Sequence, residues 1–244
     1  MILKLVKNKM IYKIFSFILL FSISIFSQVK NPESILERVK AELKKIEDYK
    51  VDVKIKVDVY FLKMPDREAT IFYKQPDKIH IESEGFVMLP KEGLNFSPLG
   101  LLKSKYSAFY EREDTIKGIT TSKIKIIPLE SSSDVILSTL WIDTRRNIIV
   151  RIESSRKPLG TFVIDLDYLK IEQEYWLPSS MVFTFSIDRS VLPRGFNVDA
   201  DSESRKALED STKTETGTVY LKYSNYKVNT GLSDEIFDKK DSKK

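Results

Sequence analysis

A chain of 244 residues with no cysteine cannot form disulfides, use a thiol as nucleophile or hold zinc through sulfur, and it offers no cysteine for a lipid anchor. Of its formal charge of +5, four units come from Lys4, Lys7, Lys9 and Lys13, leaving +1 for the rest. Acidic and basic residues interleave along that remainder, so no basic stripe for nucleic acid is expected.

Those four lysines precede an apolar run from Ile14 to Phe26, which is followed by Ser27 and Gln28. This is the order of a cleavable export signal, and 13 residues are too few to cross a bilayer, which takes about 20. Residues 1–27 are therefore expected to be removed between Ser27 and Gln28. The mature protein is expected in the periplasm, soluble and without a lipid anchor. About 217 residues remain, enough for one packed domain, expected over 28–238.

Asn31 to Asp48 places Ile35, Leu36, Val39, Leu43 and Ile46 at helical spacing behind an Asn-Pro start, which predicts an amphipathic helix. From Val51 to Phe61, apolar Val51, Val53, Ile55, Val57, Val59 and Phe61 alternate with Asp52, Lys54, Lys56, Asp58 and Tyr60. Period two predicts a long strand with one wet and one apolar face. Met64-Pro65-Asp66 breaks it, Ala69, Ile71 and Tyr73 resume it, and Gln75-Pro76-Asp77 separates them from Ile79 and Ile81, so antiparallel hairpins are expected.

Alternation fails from Phe86 to Tyr110, a bulky apolar stretch broken by Pro90, Gly93, Pro98 and Gly100. A loop and a short helix over Leu99 to Tyr110, with Leu101, Leu102 and Tyr106 on one face, are expected to lie across the sheet as a lid. Further strands are expected at Ile124 to Leu129, Val135 to Asp143, Asn147 to Glu153, Thr161 to Ile171, Ser180 to Asp188 and Thr218 to Tyr226. Asp143 to Asn147, containing Arg145 and Arg146, reads as a hairpin turn. Arg189 to Gly217 reads as a long polar loop, and 239–244 as a frayed tail.

Catalytic chemistry is hard to assemble from these residues. The single histidine, His80, falls on the polar face of a strand, and no Gly-x-Ser-x-Gly elbow or phosphate loop is present. Asp165 and Asp167 alternate with apolar residues, as the wet side of a strand does, and no carboxylate cluster suits a metal. Neither an enzyme, a cofactor nor a metal site is expected.

Three phrases, taken in order, resemble the LolA/LolB family of periplasmic lipoprotein carriers: Phe72-Tyr73-Lys74-Gln75-Pro76-Asp77-Lys78-Ile79; Leu140-Trp141-Ile142-Asp143 with Ile148-Ile149-Val150-Arg151-Ile152; and Tyr223-Ser224-Asn225-Tyr226-Lys227-Val228-Asn229-Thr230-Gly231-Leu232, ending at Phe237. The resemblance implies an α+β, mostly β fold. A curved antiparallel sheet forms an incomplete barrel covered by helices, with an apolar cavity for acyl chains.

It also implies lipid or lipoprotein acyl chains as ligands and transport partners at the inner and outer membranes, for a protein expected to be monomeric. The cavity residues expected on strands are Val53, Ile55, Val57, Ile71, Ile164, Phe183 and Phe185. Those expected in the lid are Phe86, Leu89, Leu99, Leu101 and Leu102. Read from the residues alone, the strand positions are by default the filled core of a sheet covered by a helix, which would make the protein a structural element of the envelope. A further alternative is an envelope-stress regulatory module, which would bring a second carboxy-terminal domain; the chain is expected to lack one.

Overall fold

The computed structural model describes residues 30–59, 65–83, 101–103, 105–130, 135–157, 160–187 and 215–238. The chain divides into two compact units, Met1–Lys30 and Asn31–Lys244, and the described elements belong to the second. The expected signal segment, the loop core over 189–214 and the tail at 239–244 lie outside the described residues.

Helix α1 is Pro32–Lys44. Asn31 caps it, its side-chain oxygen accepting from the Glu33 and Ser34 amides at 2.9 and 3.3 Å, and Pro32 takes the first turn, where no amide is needed. Ile35, Leu36 and Val39 are buried. The helix stops four residues short of the expected Asp48, because Lys45 and Ile46 turn back to the Glu42 and Leu43 carbonyls. Ile46 is still buried, but in a smaller cluster beyond the helix end.

Ten strands follow: β1 (Asp48–Asp58), β2 (Arg67–Lys74), β3 (Lys78–Ser83), β4 (Tyr106–Ile116), β5 (Ile119–Pro128), β6 (Val135–Asp143), β7 (Ile148–Arg156), β8 (Gly160–Ile171), β9 (Tyr175–Ile187) and β10 (Glu215–Val228). They form one sheet in the order β3-β2-β1-β10-β9-β8-β7-β6-β5-β4, and every paired neighbour is antiparallel. Among the described residues β3 and β4 do not pair with each other, so the curved sheet remains an incomplete barrel. A short helix α2 (Glu235–Asp238) ends the described chain.

Period-two alternation sends one set of side chains inward from every strand. Val51, Val53 and Ile55 of β1, Phe162, Ile164 and Leu166 of β8, and Val219 and Leu221 of β10 join Leu36 and Val39 of α1 in one buried cluster. Each such side chain contributes roughly 1.5–3 kcal/mol by leaving water.

The helix expected to run to Tyr110 is corrected, because Tyr106 to Tyr110 open strand β4. Only Tyr106, Ala108 and Tyr110 pack inward there. Glu111, Arg112, Glu113 and Asp114 follow a register shift at Tyr110/Arg112 on this edge strand, and their charges hide its period. The hairpin to β5 turns on Lys117 and Gly118, both at positive φ (48° and 78°), which fits a two-residue primed turn. Strand β10 begins at Glu215, so the expected polar loop loses its last three residues. Within it, Gly217 lies opposite Phe185; a β-carbon there would stand 2.7 Å from the ring.

Candidate functional site

The inner face of the sheet gathers most of the expected ligand residues. Val53, Ile55, Ile71, Leu102, Ile164 and Phe183 are buried within the main cluster, whereas Val57, Leu101 and Phe185 pack against it half-buried. Phe183 stacks on Phe185 with ring centroids 5.2 Å apart. Phe86, Leu89 and Leu99 lie outside the described residues. The buried six therefore form the floor of the inner face, and the half-buried three keep surface that packing does not cover.

Tyrosines contribute a second set of inner residues beside the aliphatic and phenylalanine side chains. Tyr49, Tyr168, Tyr223 and Tyr226 are half-buried against the same cluster. Burial pushes all four phenols well above their ordinary value. Strand parity marks three of them, since Tyr49 stands two residues before Val51, Tyr168 two after Leu166 and Tyr223 two after Leu221, whereas Tyr226 lies beyond a register shift between β1 and β10. A void of about 10 Å³ lies between α1 and strands β7 to β9, bordered by Val39, Leu43, Ile149, Tyr168 and Trp176. That is room for about one water molecule.

One end of the sheet is locked by polar contacts from the family-like phrases. Asp48 is 3% exposed, and its carboxylate accepts from the amides of Thr230, Gly231 and Leu232 at 2.9 to 3.1 Å. Asn229 accepts from the Glu47 amide at 2.7 Å and donates to the Lys45 carbonyl at 2.9 Å. Gln75 donates to the Ile46 carbonyl at 2.7 Å. Lys74 and Lys78 meet the Asp234 carboxylate at 2.9 and 3.0 Å and hold its pKa below the usual range. The first and third phrases thus come together, and their role is structural. In the second, Asp143 accepts from the Arg145 amide and the Arg146 guanidinium at 2.9 and 2.7 Å, closing the expected turn.

The candidate acid–base groups are occupied elsewhere. Asp165 takes a two-pronged ion pair from Arg151 at 2.7 and 3.0 Å. Asp167 binds Lys117 and Ser180, and the lysine contact lowers its pKa. His80 lies on the outer face as expected, but its side chain is only 12% exposed because it packs beside Phe72. No cluster among the described residues has the three or more donors a metal ion would take. No described helix is long and apolar enough to cross a membrane.

No family model matches this chain, and no curated protein matches it by sequence. Similarity appears at the level of structure. A crystal structure described as an outer membrane lipoprotein-sorting protein domain from Vibrio parahaemolyticus superposes with a TM-score of 0.53 at 14% identity, covering 85% of this chain and 97% of that one. A DUF1329 family protein from Desulfovibrio piger gives 0.53 at 12% identity over 85% and 98%. A LolA superfamily protein from Nitrosomonas europaea gives 0.52 at 12% identity over 86% and 98%. At such identities the likeness speaks to the fold: the chain has the LolA-like architecture.

Proposed function

We propose that this LolA-like half-barrel binds a hydrophobic ligand, the acyl chains of a lipoprotein or lipid, between its inner face and the apolar segment that starts at Phe86. That segment ends before Tyr106, where β4 begins. The observation that carries the reading is an inner face apolar across an unclosed ten-stranded sheet, with Val57, Leu101 and Phe185 left half-buried. Apolar surface that packing leaves partly open is where an apolar ligand gains by burial. A lipoprotein-sorting domain of the same fold supports acyl chains as that cover.

Affinity would come from chain burial, at roughly 0.8 kcal/mol per methylene, which leaves binding reversible for a few groups. In this reading residues 1–27 direct export to the periplasm. The protein acts there as a monomer, taking its cargo from and giving it to membrane-bound partners. Native mass spectrometry and lipid extraction of protein recovered from the periplasm should show bound lipid and a mature amino terminus at Gln28. Protein free of lipid that also fails to bind a fluorescent fatty acid would refute the reading.

A further inference from the structure

Two arginines interrupt the apolar inner face. Arg67 opens β2 and pairs with Ile55, so it shares that face with Ala69 and Ile71. Arg156 closes β7 and pairs with Gly160, and its guanidinium lies 5.6 Å from the ring centroid of Phe162, a residue of the buried inner cluster. Both arginines are half-buried, and the Nε of each is buried without a hydrogen-bond partner among the described residues. Among those residues no carboxylate forms an ion pair with either; Glu68, beside Arg67, turns to Lys54 on the outer face. A guanidinium withdrawn from water this far and left unpaired is costly until an anion arrives.

The two stand at one end of the half-barrel. Antiparallel order puts the start of β2 and the finish of β7 at the end away from Asp48. Strands β1, β10, β9 and β8 lie between them, so the curl of the sheet sets them across from each other. Their heights also agree, because rows of paired residues climb around a curled sheet, as barrel stagger requires. Lys103, just before β4, meets Asp77, just before β3, at 3.6 Å, although in the register Lys78 sits at the Asp48 end and Tyr106 at the other. The Arg67 row runs through Ile55, Leu221, Met181 and Leu166 to the middle of β7. Half of the climb raises that level to Arg156.

A barrel of about eight strands is just filled by its own side chains, so across ten the two guanidiniums can reach one small group. Beside them Phe162, Phe183 and Phe185 follow one another with centroids 5.4 and 5.2 Å apart.

We infer that Arg67 and Arg156 form a headgroup site at the mouth of the inner face and clasp the phosphate of a phospholipid whose acyl chain runs along the phenylalanines. A phosphate turns oxygens to both walls, whereas a carboxylate presents its two to one side. This rests on the acyl-binding reading above and narrows its ligand to a lipid that carries a phosphate.

The test titrates purified protein with a pyrene-acyl lysophosphatidylglycerol, the matching monoacylglycerol and the matching free fatty acid, with inorganic phosphate as competitor. Unaltered protein should bind the phospholipid about a hundredfold more tightly than the monoacylglycerol, as two charge-assisted hydrogen bonds imply. In the Arg67→Met/Arg156→Met variant that preference should vanish, while affinity for the monoacylglycerol is unchanged. Each replacement keeps an apolar stem, so folding should survive, and circular dichroism checks it.

Equal affinity of unaltered protein for phospholipid and monoacylglycerol would overturn the clasp while leaving acyl binding intact, and this comparison needs no variant. So would a preference that survives in the variant, or equal losses of both ligands there. Tightest binding of the fatty acid would overturn it by making the anion a carboxylate, and displacement of the phospholipid by millimolar inorganic phosphate by making the site one for free phosphate. If unaltered protein binds none of the acyl probes, the acyl-binding reading fails and the clasp with it.

Discussion

Asp48 sits at the first position of β1 with its carboxylate turned into the backbone of residues 230–232, where it accepts three amides and lies 3.4 Å from the Thr230 hydroxyl. Removing it strands those amides in a partly buried turn, each at a cost of about 1–3 kcal/mol. Asp48→Ala should therefore lose about 3 kcal/mol in urea denaturation, and Asp48→Asn, which keeps one oxygen, about half as much. The inner tyrosines make the matching prediction at high pH. Their folded pKa values are raised, so the stability they contribute is complete below the unfolded value of about 10 and is lost as pH rises through the folded one. These four tyrosines should resist ionisation until the protein unfolds. Phenolate absorbance should then rise in two stages, the second together with loss of circular dichroism; a single early stage with dichroism intact would contradict this.

At the scale of elements, β10 shows how a pairing depends on one missing side chain. Gly217 lets the Phe185 ring of β9 lie against it; a β-carbon would come within 2.7 Å of that ring and 3.0 Å of a Val59 methyl. Gly217→Val should displace the Phe185 ring and cost about 1–3 kcal/mol in thermal or urea unfolding. Because Phe185 is one of the half-buried residues of the inner face, the same variant should weaken binding of a fluorescent fatty acid. The elements most legible beforehand were those with one wet and one apolar face over many residues, such as β1 and β8. The edge strand β4 was hidden because Glu111 to Asp114 put charge on both of its faces, and an edge exposes both to water. The early end of α1 was equally hidden, since Ile46 keeps the helical spacing although a turn, not the helix, buries it.

At the scale of the whole molecule, alternation said which side chains share a face, but not how completely that face is filled. Val53 and Val57 have the same parity on the same strand, yet Val53 is 1% exposed and Val57 half-buried. Exposure at a given parity is set by what packs over the strand from elsewhere in the chain, which is long-range and leaves no local pattern. Tyr73 and Tyr168 stood in the apolar alternation, but Tyr49, Tyr223 and Tyr226 were missed for a related reason, because a phenol reads as polar until its ring is seen to pack. Both gaps concern the same claim, that an acyl chain lies along the inner face. Photo-crosslinking with a diazirine fatty acid, followed by peptide mapping, tests that claim most directly. The account predicts labelling at inner residues such as Val57, Phe185 and Tyr223, competed by unlabelled fatty acyl ester. Labelling confined to outer-face residues such as Phe109 and Ile127, or labelling that no acyl competitor reduces, would contradict it.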